Sequence, residues 1–372
     1  MKKKLAFFGV KYFPSKGGVS RTTENLIKNL KDDFDITIYC YKNKLAQNNI
    51  NGVSVIQFKE IPIKGIGVFL YLVKCYFHMM FKGDYDMVHV RKIDAAFFIP
   101  LLYLKYKKIL ATSHESPYKR DKWNRLARLY FKMNERIFIR SKAKLTVISY
   151  PLSIHYKKKY NREVLFVPNG VEELDDYKSS KANILLNDFH IKKPYISFAA
   201  RRIMATKGVH TMLLALNHLN IKNDIIIAGE ANHSEKYINQ IKKLSIGLNV
   251  KQIGYISDKP TLLDIIKQSE IFIFPSETEG MSIMLLEVAL LGVPIIASDI
   301  PENTAVFNDD EVTYFKDKDY IDLANKIKWF YNNKDLAVKK SLKAKEKVHS
   351  KYSGKAMTMH YKKLYDELLK QQ

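Results

Sequence analysis

The stretch "IFIFPSETEGMSIMLLEVALLGVPIIAS" spans residues 271–298 and decides the fold. Its apolar ends predict two buried strands, and the part between them predicts a helix over 281–291 that Gly292 ends. A strand, a helix and a second strand in succession are the unit of a parallel sheet. The stretch therefore predicts an α/β fold. It also poses a question, because Glu279 and Glu287 stand in a segment that is otherwise apolar.

Short apolar runs alternate with amphipathic segments along the chain, in two series. The first series comprises 4–10, 35–40, 86–90, 108–113 and 145–149, and the second comprises 194–200, 224–230, 250–255, 271–276 and 293–298. Such alternation predicts parallel sheets covered by helices on both faces. Two series predict two doubly wound, Rossmann-like domains with a ligand cleft between them, at the carboxyl ends of the strands.

The length of 372 residues also favours two domains. A polar stretch after "VLFVPNGV" marks the boundary, so we expect an N-terminal domain over 1–172 and a C-terminal domain over 173–350. The charged tail over 351–372 has a helical pattern. We expect it to form a helix that packs back on the N-terminal domain.

The two cysteines, Cys40 and Cys75, are too few to staple a fold of this size, and both lie in apolar runs. They predict buried thiols in a reducing compartment. The first ten residues lack the cleavage site of a signal peptide. The longest apolar runs, 66–73 and 95–104, are shorter than the ~20 residues of a spanning helix. We therefore expect a cytoplasmic protein without a transmembrane segment.

The net charge of +24 is concentrated in the first half of the chain. Residues 1–170 hold 33 Lys and Arg against 12 Asp and Glu, whereas 171–372 holds 29 against 26. A lysine-rich composition by itself would raise the net charge of both halves alike. The asymmetry indicates an anionic partner for the first half: membrane lipid, nucleic acid or a phosphorylated substrate.

Two loops ahead of helices carry groups that suit an anion. Gly17 and Gly18 stand where the first helix should begin, where glycines let backbone N–H groups approach a phosphate. The pattern is neither G-x-G-x-x-G nor a P-loop, and a simple turn remains the alternative. Arg202 and Lys207 flank the loop after 194–200, where two cations suit a diphosphate. The alternative there is a solvated basic loop.

The paired glutamates indicate a ligand that carries several hydroxyl groups. Glu279 lies at the predicted helix start and Glu287 on the same side within the helix, where an unpaired carboxylate would be costly. The N–H groups of Gly280, Met281 and Ser282 lie between them and suit a phosphate. A phosphate with a hydroxyl-bearing ring on either side describes a nucleotide sugar.

At this point the chain resembles a known family. "PSETEGMSIMLLEVALLGVPIIASDIPEN" (275–303) is similar to the nucleotide-sugar motif of the retaining, two-Rossmann-domain (GT-B) glycosyltransferases of family 4. Further pieces fall in the family's order: "GG" at 17–18, "VPNGV" at 167–171, "RRIMATKG" at 201–208 and Y-x-x-x-Y-x-x-L near the C-terminus. The resemblance covers nearly the whole chain.

The resemblance implies a role for each matching position. Glu287 would bind the ribose hydroxyls, Glu279 the donor hexose near the reacting carbon, and the amides of 280–282 the distal phosphate. His114, in "ATSHES", matches a histidine that lies near the reacting sugar in this family. The chain departs from the family at Arg201, where a glycine is common, and at 281–282, where Phe-Gly is common.

The same resemblance implies the reaction. Arg202 and Lys207 would neutralise the leaving diphosphate and Gly17 and Gly18 would complete that site, so the main catalytic effect would be electrostatic. It implies transfer, with retention, of a hexose-type sugar from a UDP- or GDP-linked donor to a saccharide acceptor in cell-surface polysaccharide or glycolipid synthesis. The C-terminal domain would bind the donor and the N-terminal domain the acceptor. No further cofactor is implied.

A divalent metal is not expected. Asp84 and Asp86 in "GDYDMV" precede their strand, whereas ligand-binding positions follow strands. Turn residues are the better interpretation of both. No His or Cys cluster has metal spacing.

Residues 118–144 hold ten Lys and Arg against two Asp and Glu, with a helical stripe of Leu126, Tyr130, Met133 and Ile137. One interpretation is a basic amphipathic helix on the anionic inner face of the cell membrane. The residues assigned to that surface and to a lipid-linked acceptor are Lys119, Arg120, Trp123, Arg125 and Arg128. The alternative is an ordinary domain helix. Likewise, 66–81 predicts either a second membrane contact or a buried helix.

Three other classes compete with a transferase. A nucleotide-sugar epimerase of similar fold would not need a basic acceptor face. A nucleic-acid-binding protein would explain the charge, but not the paired glutamates, and no zinc finger, RNP-type or helix-turn-helix signal is present. A sugar-binding protein without activity would carry the same motifs.

Overall fold

The computed structural model describes residues 2–14, 18–42, 48–63, 66–119, 124–172, 179–232 and 234–371. The chain divides into two compact units. The first comprises Met1–Gly170 together with Gly354–Gln372, and the second is Val171–Ser353.

A mostly parallel sheet forms the centre of the first unit. Its strands are β1 (Lys3–Phe8), β2 (Phe34–Tyr41), β3 (Asn49–Ile50), β4 (Val53–Phe58), β5 (Met87–Val90), β6 (Ile109–Ser113), β7 (Lys144–Val147) and β8 (Leu165–Phe166). In the described residues they lie in the order β3-β4-β2-β1-β5-β6-β7-β8, with β3 antiparallel to β4. Apolar side chains of the strands pack into a core on each face of the sheet, as expected of a parallel sheet covered by helices.

Helices cover both faces of this sheet. They are α1 (Gly18–Leu30), α2 (Gly67–Lys82), α3 (Ile99–Leu102), α4 (Arg125–Arg140) and α5 (Tyr150–Tyr160). Residues of α2, α3, α4 and α5 form one core with one face of the sheet. Residues of α1 form the core on the other face.

The second unit repeats this plan. Its strands are β9 (Tyr195–Arg202), β10 (Asp224–Glu230), β11 (Asn249–Gly254), β12 (Ile271–Phe274), β13 (Ile295–Ser298) and β14 (Thr313–Phe315). All pairs are parallel, in the order β11-β10-β9-β12-β13-β14. Its helices are α6 (Ser180–Asp188), α7 (Val209–His218), α8 (Glu235–Leu244), α9 (Lys259–Lys267), α10 (Ile283–Leu291), α11 (Pro301–Thr304), α12 (Tyr320–Asn332) and α13 (Lys334–Lys351).

The last helix, α14 (Gly354–Lys370), belongs to the first unit. It contributes Tyr361 and Tyr365 to the core that holds Leu26 and Leu30 of α1. The chain therefore leaves the first unit after Gly170 and returns to it at Gly354.

The predicted α/β class with two doubly wound sheets is confirmed. The sequence did not predict the strands β3, β4, β8 and β14, of which all but β4 have two or three residues. Both sheets reverse their strand order once, between β1 and β5 in the first unit and between β9 and β12 in the second. Ligands of such sheets bind at the carboxyl ends of the strands beside this reversal.

The apolar segments that raised the question of membrane contact belong to the domain core in part. In α2, Tyr71, Cys75 and Met79 are buried, whereas Phe77 and Phe81 are exposed and stacked on each other. In the parts of the chain that the structure describes, no helix has both the length and the apolar character needed to cross a bilayer.

Candidate active site

Two loops meet at the strand reversal of the second unit. The loop after β9 runs through a 3₁₀ turn to Gly208, and the loop after β12 runs from Pro275 to the start of α10. The N–H of Glu277 donates to the carbonyl of Thr206 at 3.0 Å. Gly208 has a φ of +67°, and a Cβ there would lie 1.8 Å from the carbonyl oxygen of Pro275. Only glycine fits that contact.

The joined loops bring two of the predicted site residues together. Lys207 Nζ lies 2.5 Å from Glu279 Oε1, and both side chains are partly buried. The cation assigned to the diphosphate therefore neighbours the carboxylate assigned to the hexose. Arg202, the other predicted cation, lies at the end of β9 with its Nε 3.9 Å from Glu230 Oε2.

Glu277, for which the sequence offered no role, supports the same loops. Its carboxylate lies 3.5 Å from His210 Nε2 on α7 and 3.6 Å from Lys318 Nζ, which follows β14. Burial lowers the pKa of the His210 imidazole, although the charge of Glu277 opposes that shift. Glu277 thus connects the loop after β12 with α7 and with the end of β14.

Glu287 is 1% exposed and has a protein partner. Lys259 Nζ, in the first turn of α9, lies 2.8 Å from Glu287 Oε1. The sequence indicated that this carboxylate needed a partner but did not predict this lysine. Nothing in a lysine-rich chain distinguishes Lys259 from other lysines, and it stands 28 residues before Glu287.

The helix that carries Glu287 begins two residues later than predicted. The first residue of α10 is Ile283, and Ser282 is its N-cap, whose Oγ accepts a 3.3 Å hydrogen bond from the N–H of Leu285. Gly280 and Met281 therefore lie in the preceding loop. Serine competes with the helix by capping, which explains the shift. The helix ends at Gly292, with a φ of +73°, as predicted.

Two family models match the chain. The model described as Glycosyl transferases group 1 matches residues 185–347, and the model described as Glycosyltransferase Family 4 matches 16–173. The chain belongs to the group 1 glycosyltransferases. The predicted resemblance is confirmed, and the two matches follow the two units in order.

Curated relatives of this group 1 glycosyltransferase include glycosyltransferases of bacteria. It is 23% identical over 233 residues to the O-antigen biosynthesis glycosyltransferase WclY of Escherichia coli, a match that covers 61% of this chain and 62% of the relative. It is also 23% identical to the N,N'-diacetylbacillosaminyl-diphospho-undecaprenol alpha-1,3-N-acetylgalactosaminyltransferase of Campylobacter jejuni, over 52% of this chain and 50% of that one. The chain thus spans about three fifths or less of the length of these relatives.

Solved structures share the fold over the whole chain. A glycosyltransferase from Rickettsia africae has a TM-score of 0.77 at 20% identity and covers 100% of both chains. HepE of Anabaena, in complex with UDP and glucose, has a TM-score of 0.80 at 15% identity, over 98% of this chain and 100% of that one. The GT-B class predicted from the sequence is confirmed.

In the first unit of this glycosyltransferase, His114 directly follows β6 and is only 7% exposed. Its Nε2 has no hydrogen-bond partner among the described residues. Burial, and then the charges of Arg91 and Lys92, lower the pKa of this imidazole well below its usual value. His114 is therefore neutral near pH 7.

Arg91 is a residue near His114 that the sequence did not single out. It follows β5 and is fully buried. Its guanidinium donates to the hydroxyls of Thr22, Thr23 and Tyr361, each at 3.2 Å. Tyr361 belongs to the Y-x-x-x-Y-x-x-L piece of the family resemblance, so α14 reaches the carboxyl end of the sheet of its own unit.

The remaining predicted residues fall partly outside the described residues. Gly18 is the first residue of α1, at the strand reversal of the first sheet. Gly17, Arg120, Trp123 and the side chain of Lys119 lie outside the described residues. Arg125 and Arg128 lie in the first turn of α4.

Asp84 and Asp86 pair with lysines at the amino end of β1. Asp84 Oδ2 lies 2.6 Å from Lys4 Nζ, and Asp86 Oδ1 lies 3.0 Å from Lys3 Nζ. They are therefore at the opposite end of the sheet from His114. In the described ranges, no group of three His, Cys, Asp or Glu side chains is placed to hold a metal ion.

Proposed function

We propose that this protein is a retaining glycosyltransferase that moves a hexose-type sugar from a UDP- or GDP-linked donor to a saccharide acceptor. The observation that carries the proposal is the contact between Lys207 and Glu279 at the strand reversal of the second sheet. A diphosphate needs a cation, and a sugar needs a carboxylate as hydroxyl acceptor. The family membership and the Anabaena structure with UDP and glucose support the same donor class.

Binding of the donor would separate Lys207 from Glu279. Lys207 would turn from Glu279 to the diphosphate, joined by Arg202, and Glu279 would accept hydrogen bonds from the hexose. Gly17, Gly18 and the amides of residues 280–282 would complete the phosphate site, and Glu287 would bind the ribose. Neutralising the diphosphate makes it a good leaving group, which is an electrostatic contribution to catalysis. His114, as a neutral imidazole, would lie near the reacting sugar.

The acceptor would bind to the first unit and be carried on a lipid. The side of α4 that faces solvent supports this assignment, because it carries Arg125, Lys132, Arg136 and Arg140 beside the exposed Leu126 and Leu129. This combination suits a peripheral contact with anionic lipid. The O-antigen relative supports a role in the synthesis of cell-surface polysaccharide.

The function is tested with a panel of UDP- and GDP-linked sugars, scored for binding by thermal shift and then for nucleotide release with a lipid-linked acceptor. Glu279→Ala should lower kcat by about 100-fold or more, as expected when a transition-state contact is lost, and change nucleotide affinity less. Glu311→Ala is the matched control, because Glu311 pairs with Lys347 at 2.7 Å in the same unit, away from the two loops.

The opposite pattern, with nucleotide binding lost and kcat retained, would contradict the role of Glu279. Binding of no nucleotide sugar in the panel would contradict the function itself. We further propose that no divalent metal takes part. Full activity in excess EDTA is expected, and a loss of activity that Mg²⁺ restores would contradict it.

A further inference from the structure

Glu135 is a buried carboxylate in a helix that is otherwise basic. It is the only acid in α4, "RLARLYFKMNERIFIR", and it is 1% exposed. It points to the interior, together with Phe131, Asn134 and Phe138, while the cationic side chains of the helix face solvent. A buried charge in this position requires close partners.

Four groups donate to this carboxylate. Its Oε1 accepts hydrogen bonds from Lys159 Nζ at 2.8 Å, Tyr160 OH at 2.6 Å and Tyr118 OH at 3.1 Å. Its Oε2 accepts one from Ser116 Oγ at 3.4 Å. Lys159 and Tyr160 belong to α5, whereas Ser116 and Tyr118 belong to the loop after β6. Glu135 therefore fastens that loop to two helices.

The loop that Glu135 holds is the one that carries His114. Ser116 and Tyr118 stand two and four residues after His114, and on the other side Ser113 Oγ lies 3.2 Å from Tyr156 OH of α5. The imidazole Nε2 has no partner of its own among the described residues. The ring also makes a hydrogen bond to the backbone of Arg91, and the contacts of its neighbours in sequence fix the backbone from which the ring extends.

We propose that Glu135 is a positioning residue that holds His114 in its working orientation through Ser116 and Tyr118. The proposal rests on the proposed function, in which His114 lies near the reacting sugar. Misplacing such a group by about 1 Å costs up to ~100-fold in rate. A residue that served stability alone would leave the rate unchanged once the protein is folded.

The double variant S116A/Y118F tests this link without breaking the ion pair between Glu135 and Lys159. It removes the two hydroxyls of the loop and leaves Glu135 with Lys159 and Tyr160. We expect kcat to fall about tenfold or more, with the KM for the nucleotide sugar unchanged. We also expect the imidazole NMR signals of His114, assigned by their loss in H114N, to shift.

The matched control is Glu163→Gln, which removes an exposed carboxylate paired with Lys157 of α5. It should leave kcat, KM and the His114 signals unchanged. A second variant, E135L/K159M, removes the buried carboxylate together with its cationic partner, so neither charge is left without the other. It should reproduce the loss of kcat.

Wild-type kcat and unshifted His114 signals in folded S116A/Y118F would overturn the proposal and leave Glu135 a structural residue. If the wild-type protein transfers no sugar, the proposed function fails, and the NMR signals then decide the positioning of His114 alone. A shift of those signals in S116A/Y118F but not in E163Q would still support it.

Discussion

At the scale of single residues, the candidate donor site depends on a close backbone contact. Gly208 lets the loop after β9 approach Pro275, and the hydrogen bond from Glu277 to Thr206 holds the two loops in register. Lys207 immediately precedes this glycine, and Glu279 lies four residues after the proline. The position of the cation relative to the carboxylate therefore follows from the absence of a side chain at residue 208.

Gly208→Ala should lower the free energy of unfolding of the second unit by more than backbone strain accounts for. A left-handed φ costs an alanine about 1–2 kcal/mol, and the contact with a backbone carbonyl adds about 1–3 kcal/mol of overpacking. Gly247→Ala is the matched control, because Gly247 has a φ of +86° and open space around a Cβ. Urea unfolding measures both, and an equal loss in the two variants would show that the close approach contributes nothing.

At the scale of elements, α4 combines two different sides. Its inner side carries Phe131, Phe138 and the hydrogen-bonded Glu135, and its outer side is cationic with exposed leucines. Asn124 caps the helix by accepting from the N–H of Ala127 at 2.9 Å. The stripe seen in the sequence is only partly buried, since Leu126 and Met133 are exposed and Tyr130 and Ile137 partly covered. The inner side of α4 therefore belongs to the domain core, and the proposed membrane contact concerns its exposed side alone.

Leu129→Glu should weaken binding to vesicles of anionic phospholipid by at least about tenfold at physiological salt. The variant removes an exposed leucine and adds a negative charge to a cationic surface, each worth about 1 kcal/mol or more. Leu342→Glu is the control, because Leu342 of α13 is 56% exposed against 65% for Leu129 and lies in the other unit. Vesicle flotation measures both, and equal binding of the two variants would contradict a membrane role for α4.

At the scale of the whole molecule, each unit has its own core, but only the second is continuous in sequence. The first unit needs α14, whose side chains complete the core beside α1 and hold the buried His89 and Arg91. Tyr365 OH lies 2.6 Å from His89 Nδ1, and Tyr361 OH accepts from Arg91. Burial, followed by the charge of Arg91, keeps the pKa of His89 well below its usual value, so His89 is the neutral member of this network.

A fragment of residues 171–353 should therefore fold alone, whereas a fragment of residues 1–170 should not. Removal of α14 takes five buried side chains out of the core and exposes the residues that they cover, at a cost of up to about 10 kcal/mol, comparable with the whole stability of a domain. The five side chains are Met357, Tyr361, Leu364, Tyr365 and Leu368. Circular dichroism and amide NMR measure the folding, and a peptide of residues 354–372 should restore the first fragment. A cooperatively folded fragment 1–170 would contradict this dependence.

Periodicity was enough to predict most strands of the two sheets, because parallel strands buried on both faces are uninterrupted apolar runs. It missed β3, β8 and β14, which have two or three residues, and β4, whose side chains lie partly exposed near the edge of the sheet. The apolar pattern predicts the start of α10 at Met281. In the structure the hydroxyl of Ser282 caps the helix, so its first residue is Ile283. Short edge strands and helix caps depend on neighbours that periodicity does not register.

The sequence by itself determined the fold class, the family and the candidate residues of the donor site, because these follow from local patterns and from residues spaced within single strand–loop–helix segments. Only the tertiary structure decided the partners: Lys207 for Glu279, Lys259 for Glu287, and Ser116 and Tyr118 for Glu135. Charged and hydroxyl side chains are numerous in this chain. Which of them pair is set by packing between segments distant in sequence, where burial makes each unpaired polar group costly.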